Sequence, residues 1–464
     1  MALKTILFLL LFVLSACGAL YHPILGILGY MAHYITGPDR QWWSVSLRPY
    51  GIRYSLILAV ATAVGMVLHS RKLRYGAPFF TRHEKLMLAF LALLWVLYLA
   101  GDATMAYTVV DHPVLKITKV MVFGLMLTHI VTSVRSLRAL LWTFVICTFI
   151  LGLQAYVAPR YVGRLEGVGG VDFAEANFLP AFIGAMLPLI GVLFLQSRWR
   201  GKVFCLVAGV FAVNTIILAR SRGALVGIGI GLIPVVLLAP KRFRKHVTVG
   251  LILLGMGGAY LMDPGFWGRM STITRSEEQR DVSAQSRLDL WNISIRIVKD
   301  HPLGIGPGNW SQTVGRYDPA FEGRDAHSTY FRCLAELGLP GFALFIMIAV
   351  NAVRVAFRAY KSSSRIPTAA GEMLHLLCYG YTISLCTLLG AGLTVTALYT
   401  EVLWWLLFLP VCLERAVANL LAETALIPVP GQDPAAVGPV LSTGSGPGRS
   451  RRARGKTASS RSME

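Results

Sequence analysis

Charge is scarce in this chain. Asp, Glu, Lys and Arg make up 14% of 464 residues, against 55% hydrophobic residues. With repeated apolar runs long enough to span a bilayer, roughly 17–25 residues each, that composition excludes an ordinary soluble domain. It implies an all-α polytopic membrane protein. Acidic residues are scarcer than basic ones, 23 against 44, which gives a formal net charge of +21. The excess is not a nucleic-acid footprint, and no nucleic-acid partner is expected. Its Lys and Arg residues fall in short loops between apolar runs and in the C-terminal tail, a pattern that reports topology and contact with anionic membrane lipids. The seven cysteines (Cys17, Cys147, Cys205, Cys333, Cys378, Cys386 and Cys412) are scattered. No pair has the spacing of a zinc site or a disulfide framework, so neither is expected. Internal repeats are lacking too. The glycines of Leu303-Gly304-Ile305-Gly306-Pro307-Gly308-Asn309 follow no strand, which excludes a dinucleotide fingerprint.

What is present are twelve expected spans, near 4–20, 54–69, 86–101, 115–132, 139–157, 178–196, 203–219, 223–239, 247–262, 340–357, 373–397 and 401–420. Leu14-Ser15-Ala16-Cys17 resembles a lipoprotein cleavage box, but the first run reads as a transmembrane helix that leads into more membrane. Every second loop is basic. The loops are marked by Arg71, Lys72, Arg74, Arg82 and Lys85; Arg135 and Arg138; Arg198, Arg200 and Lys202; Lys241, Arg242, Arg244 and Lys245; Arg354, Arg358, Lys361 and Arg365; and Arg449, Arg451, Arg452 and Arg454. Lys and Arg prefer the cytoplasmic side, so the alternation supports both the count and an inward-facing N-terminus. The outward segments are then 21–53, with a half-helix from Pro23 to Ile35, the loop 158–177, and the long loop 263–339. Residues 1–420 read as the membrane domain, with 421–464 as a basic, disordered cytoplasmic tail.

Chemistry is expected where ionisable residues meet the outward face. Leu288, Trp291, Ile295 and Val298 recur at helical spacing in the long loop, and Asp281 or Ser283 is placed to cap that helix. Arg287 sits in its first turn, either as an anion ligand or simply snorkelling to head groups. His327, in Asp325-Ala326-His327-Ser328, opens a short helix over 327–337 in which Arg332 and Glu336 are four apart and can pair. A neutral imidazole can take a proton from a hydroxyl. The helix N-terminus disfavours the imidazolium and Asp325 favours it. The ordinary alternative is an interfacial histidine bonded to backbone or lipid. Arg220 and Arg222, squeezed between two apolar runs, are costly to place there and suit phosphate oxygens. Lys116 and Lys119 raise the same possibility. The loop around Arg164, Glu175 and Asn177 mixes aromatic, amide and carboxylate groups suited to hydroxyl-rich ligands.

These motifs resemble the O-antigen ligase family. They are Ser221-Arg222-Gly223-Ala224 at a span boundary, Arg287 with Trp291, Asp300-His301-Pro302-Leu303-Gly304-Ile305-Gly306, and Ala326-His327-Ser328 followed by Glu336-Leu337-Gly338. The likeness covers about 160–345. Within the family, 172–177, 219–224 and 281–308 are most similar to the exosortase-associated O-glycosylation ligases. The resemblance implies a donor glycan on undecaprenyl pyrophosphate at the outer face of the bacterial inner membrane. It implies transfer to a lipid, glycan or protein acceptor hydroxyl, with no cofactor, metal or nucleotide. By position, Arg222 and Arg287 would bind the pyrophosphate and His327 would activate the acceptor. Ser328 stands where the family often has Asn. O-antigen polymerases and protein O-oligosaccharyltransferases carry the same motifs with other acceptors. A transporter or lipid flippase is the main alternative of another class, and it favours internal repeats and ionisable residues deep within spans.

Overall fold

A computed structural model describes residues 3–72, 78–101, 112–158, 165–173, 177–261 and 282–425. Its regular elements are helices: α1 (Leu3–Tyr21), α2 (Pro23–Thr36), α3 (Tyr54–Leu68), α4 (Arg82–Ala100), α5 (Pro113–Ile130), α6 (Val134–Val157), α7 (Phe178–Gln196), α8 (Trp199–Ala219), α9 (Arg222–Leu238), α10 (Arg244–Leu261), α11 (Val282–Asp300), α12 (Trp310–Tyr317), α13 (Thr329–Ser363), α14 (Ala369–Ala391) and α15 (Glu401–Ala425). The protein is an all-α, multi-pass membrane protein. Each expected span coincides with one helix, and the half-helix expected from Pro23 is α2. By length and composition, nine helices among the described residues are apolar enough to cross a membrane, or ten if α3 is joined to the short helix Trp42–Tyr50 across a 70° bend. The other two fall short for local reasons. α9 has only 17 residues, and α10 opens on Arg244-Lys245-His246.

Helix ends follow local chemistry. Thr81 and Glu84 form a reciprocal capping box that starts α4. Ser221 caps α9 and Ser328 caps α13 through side-chain oxygens that accept from Ala224 and Phe331 N–H groups. Gly338, at φ 63° and ψ −166°, breaks α13 where the sequence Gly338-Leu339-Pro340-Gly341 predicts a bend.

The centre of the bundle is α14, packed between α7, α9 and α13. Its approach to α9 is set by three glycines one turn apart. A Cβ at Gly223 would stand 2.6 Å from Thr394 Oγ1, at Gly227 2.6 Å from Ala391 Cβ, and at Gly231 2.0 Å from Thr387 Oγ1. Such small-residue stripes let helix backbones meet closely in lipid, where dispersion replaces the hydrophobic effect as the glue. The contact carries the N-terminus of α9 onto the end of α14 and the connector after it.

Two expectations are corrected. The eleventh span does not reach 397: α14 ends at Ala391. Gly392 and the polar residues Thr394 and Thr396 make 392–400 a connector with side-chain and backbone ligands of its own. In α11 the buried face is Leu290, Ile293, Ser294 and Ile297, packed with Trp310, Val314 and Phe321. Of the stripe read from the sequence, Leu288 and Ile295 are exposed. This helix is apolar on two opposite faces, so periodicity alone did not choose between them. Finally, α11 starts at Val282, which puts Ser283 inside the helix and Arg287 in its second turn. Asp281 lies outside the described residues, as does the tail beyond 425.

Candidate active site

The candidate site is built on the ends of helices at one side of the bundle: the C-terminal ends of α4, α8 and α14 and the N-terminal ends of α5, α9, α13 and α15. This is the side that the basic-loop alternation leads one to expect outside.

His327 lies two residues before α13, not in its first turn, with φ 51°. Among the described residues only two non-glycine residues have positive φ, His327 and Arg220 at φ 47°. Both are residues that the sequence nominates. A left-handed backbone at a branched or bulky side chain costs roughly 1–3 kcal/mol and persists only where neighbours hold it. For His327 the holder is Asp325, whose Oδ2 accepts the His327 N–H at 3.0 Å. The same oxygen lies 3.6 Å from His327 Nδ1 and accepts from the Thr396 hydroxyl. Asp325 Oδ1 accepts from Arg332 Nη1 at 3.1 Å. The carboxylate therefore fixes the backbone at the histidine and sets a negative charge beside its ring.

Glu336 is the second anchor, and it is fully buried. Its carboxylate accepts from Gly308 N–H at 3.0 Å, Trp310 N–H at 3.2 Å and Arg332 Nε at 3.1 Å, and from the Tyr399 hydroxyl. The expected Arg332–Glu336 pair is thus one part of a larger knot. Burial, reinforced by the Glu336 charge, pushes the Tyr399 hydroxyl well above its ordinary pKa, so it stays protonated and donates. The glycine loop is tied to the same place by backbone. Ile305 and Gly306 N–H groups donate to Ala335 and Glu336 carbonyls at 3.1 and 3.0 Å. Gly304, at φ 89°, sits where a Cβ would be 2.4 Å from the Glu336 carbonyl oxygen. Its glycines serve close approach of backbone to backbone.

Arg287 is placed by the partner helix. Trp291 stacks on Phe331 with centroids 5.0 Å apart and planes at 13°. Further along both chains, the Leu339 N–H donates to the Pro302 carbonyl at 2.9 Å. α11 and the first part of α13 therefore run in the same direction. Arg287 lies one helical turn before Trp291 on α11, and His327 lies four residues before Phe331 in the chain. Arg222 is the first residue of α9 and is buried. Its neighbour Gly223 abuts Thr394 and Val395. The Thr329 N–H, two residues after His327, is shared between the Gly392 and Val395 carbonyls at 2.9 and 3.1 Å. The 392–397 connector thus brings Arg222 and His327 to one place.

Arg220 ends α8 beside Arg222. Asn177 is buried, and its Oδ1 accepts from Ser221 Oγ at 3.4 Å; it braces the turn that presents both arginines. Lys116 is held at 2.6 Å by Asp172. Asp172 also accepts from the Tyr34 hydroxyl and, at 3.1 Å, from the Glu401 N–H, and Glu401 accepts from Tyr30 at 2.9 Å. Lys119 lies one turn along α5 and is exposed. These lysines form a second cluster joined to the first through the segment that carries Thr396, Tyr399 and Glu401. Arg164 and Glu175 lie outside the described residues. Sequence reasoning missed Glu401, Tyr34, Tyr399 and Thr396. The available signal was the polar run Thr394–Thr396–Tyr399–Thr400–Glu401 inside what reads as the edges of two apolar spans.

His112, which caps α5, belongs to this region. Its Nδ1 accepts the Val114 N–H at 3.2 Å, and burial lowers its pKa from the ordinary value against the opposing pull of Glu336. No group of His, Cys, Asp and Glu that would hold a metal ion occurs among the described residues.

Residues 207–346, from α8 through the kink of α13, match the family model described as O-antigen ligase. Over that segment the chain is similar to an O-antigen ligase domain. No curated protein matches it. The matched segment contains Arg220, Arg222, Arg287, the glycine loop and His327, and so the starts of α9 and α13 that meet at the connector. Glycan transfer of the O-antigen ligase type follows for the domain in general terms.

Proposed function

We propose that this protein transfers a glycan from undecaprenyl pyrophosphate to an acceptor hydroxyl at the outer face of the bacterial inner membrane. The supporting observation is the convergence on one connector of a buried arginine, Arg222, and a strained histidine, His327, with the Arg287 helix stacked on α13 through Trp291 and Phe331. In this reading His327 takes the proton from the acceptor hydroxyl. The acceptor oxygen attacks the anomeric carbon, and the bond to the pyrophosphate oxygen breaks. The electron pair leaves on the lipid pyrophosphate, where Arg222 and Arg287 stabilise the growing charge. Asp325, 3.6 Å from Nδ1, favours the imidazolium that forms, and the proton then passes to solvent. Direct displacement inverts the anomeric carbon. The reaction needs no metal in this scheme, because fixed cations carry the leaving-group charge.

The test is glycan transfer by the full chain in nanodiscs, with EDTA, native lipid-linked donor and a host membrane extract as acceptor source. His327→Ala should lower lipid pyrophosphate release about 10²–10⁴-fold, the usual worth of a general base, with donor binding retained. Wild-type release abolished by EDTA, or His327→Ala that turns over like wild type, would overturn the scheme. Polymerisation and protein glycosylation use the same donor chemistry, and product analysis distinguishes them.

A further inference from the structure

At the other end of α9, α13 and α14, opposite the candidate active site, lies a cavity of about 480 Å³. Its walls include Lys241, Arg242 and Arg244 from the α9–α10 turn, Lys361 from the end of α13, and Glu372 and His375 from α14. Glu372 pairs with Arg242 at the rim, which leaves Lys241, Arg244 and Lys361 as uncompensated positive charge among the lining residues. Helix C-terminal carbonyls would ordinarily repel an anion here. They are already occupied: the Leu238 carbonyl accepts from the Tyr360 hydroxyl at 2.6 Å, and the Tyr360 carbonyl accepts from Ser363 Oγ at 2.8 Å and faces His375 Nδ1 at 3.1 Å. Part of the remaining wall is apolar, with Leu237, Phe243, Ile366 and Leu376. A cationic mouth over an apolar wall, set where transmembrane helices end, suits an amphiphile with a phosphate ester head.

We infer that this cavity binds the phosphate headgroup of an anionic glycerophospholipid of the inward leaflet. Lys241 and Arg244 hold the phosphate, and the apolar wall takes the root of the acyl chains. This site is separate from the donor site and does not depend on the transfer mechanism.

The experiment uses the full chain in a zwitterionic detergent, titrated with phosphatidylglycerol, phosphatidylcholine or inorganic phosphate, and reads melting temperature together with lipid retention by native mass spectrometry. Phosphatidylglycerol should raise the midpoint and remain bound. Lys241→Gln with Arg244→Gln should weaken that dependence at least tenfold. Arg198→Gln with Arg200→Gln, which removes the same charge from another inward loop, should leave it unchanged, and Glu372→Gln should strengthen it. Equal losses in both double variants would overturn a built site in favour of general surface charge. Protection by inorganic phosphate matching the lipid at equal concentration would overturn the lipid assignment, and so would equal binding of phosphatidylcholine.

Discussion

Replacing Glu336 with Gln tests the construction of the candidate site at its most connected atom pair. The carboxylate accepts from Gly308 and Trp310 N–H groups, Arg332 and Tyr399. An amide offers one oxygen in place of two and turns an NH2 toward donors. Hydrogen bonds to a charged acceptor are worth about 1.5–3 kcal/mol each, and breaking a buried ion pair costs about 3–5 kcal/mol. Two bonds lost, with Arg332 left to Asp325 alone, give a local destabilisation of about 3–5 kcal/mol. At about 1.4 kcal/mol per tenfold, amide exchange at Gly308 and Trp310 should quicken by two to three and a half orders of magnitude. Hydrogen-exchange mass spectrometry of a peptide over 304–312 reads this directly, with a peptide in α6 as internal control. Transfer should fall in parallel, because the loop and the helix that follows His327 share this anchor. Unchanged protection in that peptide would refute the claim that Glu336 ties the glycine loop to α13.

Gly338→Ala should destabilise far more than Gly51→Ala. Both glycines have positive φ, which costs an alanine about 1–2 kcal/mol, but a Cβ at Gly338 would also meet the Leu303 carbonyl carbon at 2.3 Å, whereas at Gly51 nothing lies within 4 Å; melting temperatures of the two variants decide it. His112 should make stability acid-sensitive. Its folded pKa is lowered, so the unfolded chain binds the proton first as pH falls, and this contribution is complete above about pH 6.5 and lost below it. Thermal unfolding from pH 7.5 to 5 should therefore slope less in His112→Asn than in wild type; identical slopes would remove His112 as the cause.

The sequence was sufficient for the membrane class and for a helix at each of the twelve expected spans, of which nine or ten are apolar enough to cross a membrane. Each of these rests on a local quantity, the length of an apolar run. It also nominated His327, Arg222 and Arg287, because ionisable groups at the edge of a bilayer are costly and stand out. It placed α14 six residues too long, since Leu393, Val395 and Ala397 read as membrane until Thr396 is seen bonded to Asp325 and the Val395 carbonyl to the Thr329 hydroxyl. It showed one apolar stripe of α11 but not the opposite face, Leu290, Ile293 and Ile297, that packs with Trp310 and its neighbours. What tertiary structure alone decided is proximity. Arg222 and His327 are 105 positions apart in the chain and meet because three glycines let α9 settle on α14, and because the connector after α14 supplies the carbonyls that hold Thr329. Backbone strain at His327 and Arg220 likewise has no local signature in residue type. It exists because Asp325 and the ends of neighbouring helices over-determine those two positions.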